Sequence, residues 1–194
     1  MDVSEPGWSV GELTSLAAKA AVGAGLPWGI AEDAANIARQ LCHWGLPAAE
    51  AIVADLASDE PGRTLTLACA LSDGASPDVL SSMTGAFVPL LIAPALARQL
   101  EDENAVVISD AAGTDRLHVW RSGAVHLSGP NLSAHGPLDL RSAAPGEPAA
   151  RLHRFPTPDP ATCKILTGFA HRTYAPATEQ SRMAGAGAGL LDND

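Results

Sequence analysis

Apolar residues recur with helical spacing through the first third of the chain. Leu13, Leu16, Ala17, Ala20 and Ala21 share one face, because residues three and four apart stack on the same side of a 3.6-residue turn. Ser9 and Glu12 stand at the spacing of a capping box, which starts the helix at Ser9, and Gly23-Ala24-Gly25 supplies a left-handed stop. Pro27 and Trp28 open a second helix, with Ile30, Ala34, Ile37, Ala38 and Leu41 on one face and Glu32, Asp33, Asn36 and Arg39 on the other. A third helix over 48–57 presents Ile52, Val53 and Leu56, and Asp59-Glu60-Pro61-Gly62 closes the helical part.

The period then changes to two. Leu65, Leu67, Cys69 and Leu71 alternate with Thr64, Thr66, Ala68 and Ala70, the repeat of a half-buried strand. Positions 79–97 run 19 residues without a formal charge, close to the length that spans a bilayer. Ser81, Ser82, Thr84, Gly85, Pro89 and Pro94 interrupt them, so the stretch is expected to be protein core. Pro89 and Pro94 are expected to break it into a strand or turn followed by a helix at 95–100. Strands are predicted over 105–109, 116–121, 124–128 and 138–141, the middle two forming a hairpin about a two-residue loop, Ser122-Gly123. Residues 143–160 hold Pro145, Pro148, Pro156, Pro158 and Pro160 and read as a surface connector. Asp159-Pro160 then opens a last helix over 161–172 with Ile165, Leu166 and Phe169 on one side. One or two further turns are expected over 177–183, ahead of the glycine run at 185–189.

The fold class is α+β: an N-terminal three-helix layer (1–60) packed on a mainly antiparallel sheet (63–142), closed by a C-terminal helix and glycine-rich tail (159–194). A length of 194 residues fits a single domain.

Charge narrows the partners. Twenty-two acidic against 12 basic residues give a formal net charge of −10, which offers no cationic surface for nucleic acid. The acidic start has no apolar run behind it and does not read as a secretory signal, so a cytoplasmic location is expected. Cys42, Cys69 and Cys163 are odd in number and far apart, as reduced, buried thiols would be. None of the six histidines has the spacing of a zinc site. In the predicted hairpin His118 faces Leu127 and His126 faces Val119, so those imidazoles do not share an ion. Cys42-His43 reads as a buried thiol beside an interfacial histidine, since adjacent helical side chains point about 100° apart. Ser133 lacks a nucleophile elbow, and Gly185, Gly187 and Gly189 follow a helix instead of a strand; no cofactor is indicated.

The remaining chemistry lies near the C-terminus. Arg172, Tyr174, Thr178, Glu179, Ser181 and Arg182 fall within eleven residues, ahead of the glycine run. Arg172 and Arg182 are the substrate-binding candidates, because guanidinium groups hold carboxylate or phosphate through paired donors. Tyr174 and Glu179 are the catalytic candidates for proton transfer. Alternatively, Arg172 and Glu179 form surface pairs and the glycines let the tail cross a second subunit. Ala-rich helices, Trp8, Trp28 and Trp44 and the Leu190-Leu191 pair favour a homodimer.

Lys19-Ala20-Ala21, Gly23-Ala24-Gly25, Trp28-Gly29 and Ala31-Glu32, with Arg172-Thr173-Tyr174, Ser181-Arg182, the glycine run and Asp192-Asn193-Asp194, resemble an uncharacterised bacterial protein family, a domain of unknown function. The resemblance implies a bacterial cytoplasmic protein and adds no catalytic residue. Two functions are expected on these grounds. One is a small-molecule metabolic enzyme, or its ligand-binding subunit, acting on an anionic organic substrate. The other is a non-catalytic accessory subunit whose tail is an oligomer interface.

Overall fold

A computed structural model describes residues 8–77, 86–100, 105–110, 116–120, 125–128, 138–143 and 157–173. Within them the chain forms α1 (Val10–Gly23), α2 (Trp28–His43), α3 (Ala48–Leu56), α4 (Arg63–Ser72) and α5 (Pro89–Gln99). Four strands follow, β1 (Ala105–Asp110), β2 (Arg116–Trp120), β3 (Val125–Ser128) and β4 (Leu138–Ala143), and then α6 (Pro160–His171). The strands lie in the order β3-β2-β1-β4, every neighbouring pair antiparallel. The architecture is α+β.

The first three helices form where the hydrophobic pattern puts them. At α1 the hydroxyl of Ser9 accepts from the Glu12 N–H at 3.1 Å, and the Glu12 carboxylate accepts from the Ser9 N–H at 2.8 Å, which completes the capping box. Those bonds, the backbone one first, hold the exposed Glu12 carboxyl below its usual range. The helix ends with Gly25 at φ +93°. Ala34, Ile37, Ala38 and Leu41 of α2 are buried, as are Ile52 and Leu56 of α3.

The predicted strand at Leu65–Leu71 is instead the helix α4. Its buried residues Thr64, Leu67, Ala68 and Leu71 follow the helical period, and Thr64 and Ala68 come from the positions that the alternation would turn away from the core. A cap from a distance favours the helix: the fully buried Asp55, on α3, accepts from the Thr64 N–H at 2.9 Å and the Leu65 N–H at 3.1 Å. Gly62, at φ +76°, makes the turn between them and packs so closely on Leu26 that a side chain there would collide with it. Thr64 uses its buried hydroxyl to accept from Val88 N–H at 3.1 Å, tying α4 to the start of α5.

The uncharged stretch also differs from expectation. Pro89 takes the first turn of α5, where its missing N–H costs nothing, and Pro94 sits inside the helix instead of ending it. Every residue from Pro89 to Ala97 is buried. A helix apolar on all sides belongs in the centre of a protein, and α5 packs against α2, α3 and α4 on the one hand and β1 and β2 on the other. It is the joint between helices and sheet. Among the described residues no helix is long and apolar enough to cross a membrane.

The sheet meets α5 through Val106, Ile108, Leu117 and Val119. In the hairpin Val119 pairs with Val125 and His118 with His126, one residue away from the register that a two-residue Ser122-Gly123 loop requires. The two histidines therefore stand opposite each other, which corrects the expected separation.

Candidate functional site

The C-terminal helix returns to the N-terminal end of the fold, packing on α1 and α3. Asp159 caps it by accepting from the Ala161 N–H at 2.8 Å and the Thr162 N–H at 3.0 Å. Close contact between α1 and α6 needs a glycine: a Cβ at Gly23 would lie 1.8 Å from the Phe169 carbonyl oxygen. Leu166 and Ala170 are buried, whereas Ile165, expected on the inner side, is 45% exposed.

Beside this contact the two helices part and leave an open groove of about 420 Å³. Leu16, Gly11 and Ala170 line its apolar part, with the half-buried Trp8 at one end. Glu12, Ser15, Lys19, Thr167 and His171 supply its polar groups. Glu12 is engaged by Ser9, while the exposed Lys19 brings an ammonium to the same lining. An anion with an apolar body suits such a groove, which is concave and apolar with a few convergent polar groups.

Of the four site residues expected from the sequence, Arg172 is described. It caps the end of α6, exposed, with its guanidinium stacked over the Phe169 ring at 4.6 Å. That places it one residue past His171 but outside the lining of the groove. Tyr174, Glu179 and Arg182 lie outside the described residues, as do the tail glycines and the turns expected over 177–183. Lys19, Ser15, Thr167 and His171 were not singled out as site residues. Lys19 carried a signal, being an isolated cation on a helix otherwise faced with alanine, but nothing in the sequence shows that α6 comes back to meet it.

The thiols form no site. Cys42 is buried, and Cys69 and Cys163 are half-buried. Cys69, now on α4, donates to the Asp33 carboxylate at 2.7 Å. Burial, reinforced by Asp33 and by the charge of Asp73, pushes its thiol up to about 12. Burial and the neighbouring Glu50 push Cys42 up to about 12 as well, and burial raises Cys163. Protonated thiols are poor nucleophiles and poor metal ligands. Among the described residues no group of histidine, cysteine and acidic side chains is placed to hold a metal ion.

Residues 8–82 match the family model described as "Protein of unknown function (DUF3726)". The match takes in α1 to α4, including the Lys19-Ala20-Ala21, Trp28-Gly29 and Ala31-Glu32 segments and one wall of the groove. The C-terminal residues that suggested the same kind of family lie beyond it. No curated protein and no solved structure matches the chain.

Proposed function

We propose that this protein binds a small organic anion in the groove between α1 and α6, as a metabolic enzyme or as the ligand-binding subunit of one. The observation that carries this is the exposed Lys19 ammonium in the lining of a groove of about 420 Å³ that also has an apolar part. Lys19 receives the carboxylate or phosphate, Leu16 and Trp8 pack on the carbon skeleton, and Ser15 and Thr167 supply neutral hydrogen bonds. Arg182 adds a substrate contact and Tyr174 and Glu179 are the proton-transfer groups, while Arg172 stays stacked on Phe169 outside the groove lining. The protonated thiols suit a reducing, cytoplasmic setting.

Thermal unfolding against a panel of mono- and dicarboxylates and organic phosphates tests the proposal. A ligand at 100 times its dissociation constant adds about 2.7 kcal/mol, which raises Tm by roughly 5–10 °C in a chain of this size. Lys19→Ala abolishes the shift at little cost in intrinsic stability, because Lys19 is exposed; Arg182→Ala does the same if the tail completes the site. A panel without a shift, or a shift that survives Lys19→Ala, overturns the groove as the site.

The accessory-subunit reading has one observation in its favour: Trp28 is 67% exposed and Ile165 45%. A homodimer gives a light-scattering mass near twice the 19.8 kDa of the chain, falling toward the single-chain mass with Trp28→Glu. A mass of one chain at micromolar concentration removes this reading.

A further inference from the structure

We infer, resting on the site proposed above, that the anionic group bound between α1 and α6 is one end of a zwitterion: a short extended peptide with a free carboxylate at Lys19 and a free ammonium at Glu12. Glu12, Ser15 and Lys19 line the groove from one stripe of α1, at the three- and four-residue steps that keep side chains on one helix face. All three are exposed. At a rise of 1.5 Å per residue, Glu12 and Lys19 stand about 10 Å apart along the helix axis, close to two turns. Neither forms an ion pair among the described residues. The groove therefore presents two separate charges of opposite sign.

The second observation is how Glu12 is held. Both bonds it takes from Ser9, from the backbone N–H at 2.8 Å and from the hydroxyl at 2.7 Å, fall on Oε2. Oε1 takes no hydrogen bond among the described residues, so its lone pairs are open to a donor. The Ser9 bonds fix the carboxylate in place and hold its carboxyl below the usual range, so it is charged at neutral pH. A fixed carboxylate repels a second anionic group and attracts an ammonium. A dicarboxylate long enough to reach Glu12 from Lys19 meets like charge there, whereas a peptide brings its α-ammonium to an acceptor.

Length and polarity choose the peptide. An extended chain rises about 3.3 Å per residue, so the ends of three residues stand about 10 Å apart and match the two charges. Ser15, between them on the stripe, and Thr167, on α6, bring hydroxyls to the same lining. Hydroxyls donate and accept, as the N–H and C=O groups of a peptide require. Gly11 lines the groove beside Glu12, and a Cβ there would meet only the Ser9 hydroxyl, at 3.9 Å, outside its own helix. The space at that end is open to the main chain of a ligand. Leu16 and the half-buried Trp8 take its apolar side chains. A straight-chain ω-amino acid of equal length carries the same two charges but has no amide groups for the hydroxyls.

The test is a titration of the full ¹⁵N-labelled chain with the tripeptide Ala-Leu-Ala, its N-acetylated form, its C-terminal amide and the ω-amino acid, followed through the Trp8 indole N–H resonance. The free tripeptide is expected to move that resonance saturably, with Kd of about 1 mM or tighter. Acetylation and amidation each weaken binding by about threefold or more. Glu12→Gln, which keeps the capping box, weakens the free tripeptide by the same factor and leaves the acetylated one unchanged, while Lys19→Ala weakens both. Free and acetylated peptide binding alike, undiminished binding to Glu12→Gln, or an ω-amino acid that binds as tightly as the peptide overturns the inference. A simple carboxylate or phosphate that binds through Lys19 where the tripeptide does not bind removes the peptide and leaves the anion site standing. If nothing binds in a way that Lys19→Ala weakens, both fall.

Discussion

Asp55 is the residue on which the path of the chain from α3 to α4 most depends. It is fully buried, and its two carboxylate oxygens take the N–H groups of Thr64 and Leu65 at 2.9 and 3.1 Å. Asp55→Ala removes two hydrogen bonds to a charged acceptor, each worth about 1.5–3 kcal/mol net, and leaves both donors buried without a partner. The expected loss is about 3–5 kcal/mol, a large share of the roughly 5–15 kcal/mol that holds a domain together. Asp55→Asn keeps one acceptor oxygen and is expected to cost about half as much. Urea unfolding followed by circular dichroism measures both. With a slope of about 2 kcal/mol/M, the midpoint of Asp55→Ala falls by about 2 M at unchanged slope. The Thr64 and Leu65 amides should also exchange faster in the variant. A loss below about 1 kcal/mol, with those amides still protected, would refute the long-range cap as the cause of α4.

Other consequences follow from single contacts. Gly23→Ala drives a methyl into the Phe169 carbonyl and is expected to cost about 2–3 kcal/mol; an unchanged Tm contradicts the close approach of α1 and α6. Burial raises the Glu50 carboxyl above its ordinary value, outweighing the backbone N–H groups that oppose the shift. The folded state therefore favours the protonated form, and the resulting stability is full at low pH and lost as pH rises through the folded value. Glu50→Gln is then expected to be more stable than the wild type at pH 7, with the difference closing toward pH 4; a difference that grows on acidification reverses the assignment. Native thiols should react with an aromatic disulfide reagent far more slowly than those of the urea-unfolded chain, since Cys42 and Cys69 are pushed up to about 12. Three fast-reacting thiols would contradict their burial.

The legible parts of the fold were those determined within a few residues of chain. The capping box at Ser9, the Asp159-Pro160 start of α6 and the amphipathic stripe of α2 are local, and each is found as expected. The misread parts depend on partners far away. Leu65, Leu67, Cys69 and Leu71 alternate like a strand, yet the residue that caps α4 stands nine positions before Thr64. Pro94 is a helix breaker where water or a neighbouring turn competes, but in α5 it is wrapped by apolar neighbours on every side and the helix runs on. The hairpin register slipped by one because loop length sets register, and the change of one residue brings His118 opposite His126. At the candidate site, Arg172 was visible as chemistry, while Lys19 and His171 were not visible as a pair. Nothing in the chain between them reports that the ends of the described fold pack together.

A crystal structure of the protein with the most stabilising compound of the carboxylate and phosphate panel tests the central claim most directly. The account places the ligand between α1 and α6, with an anionic oxygen about 3 Å from the Lys19 Nζ, a second polar contact at His171, and its carbon skeleton on Leu16 and Trp8. A ligand bound elsewhere, with the Lys19 and His171 side chains making no contact to it, would contradict that account.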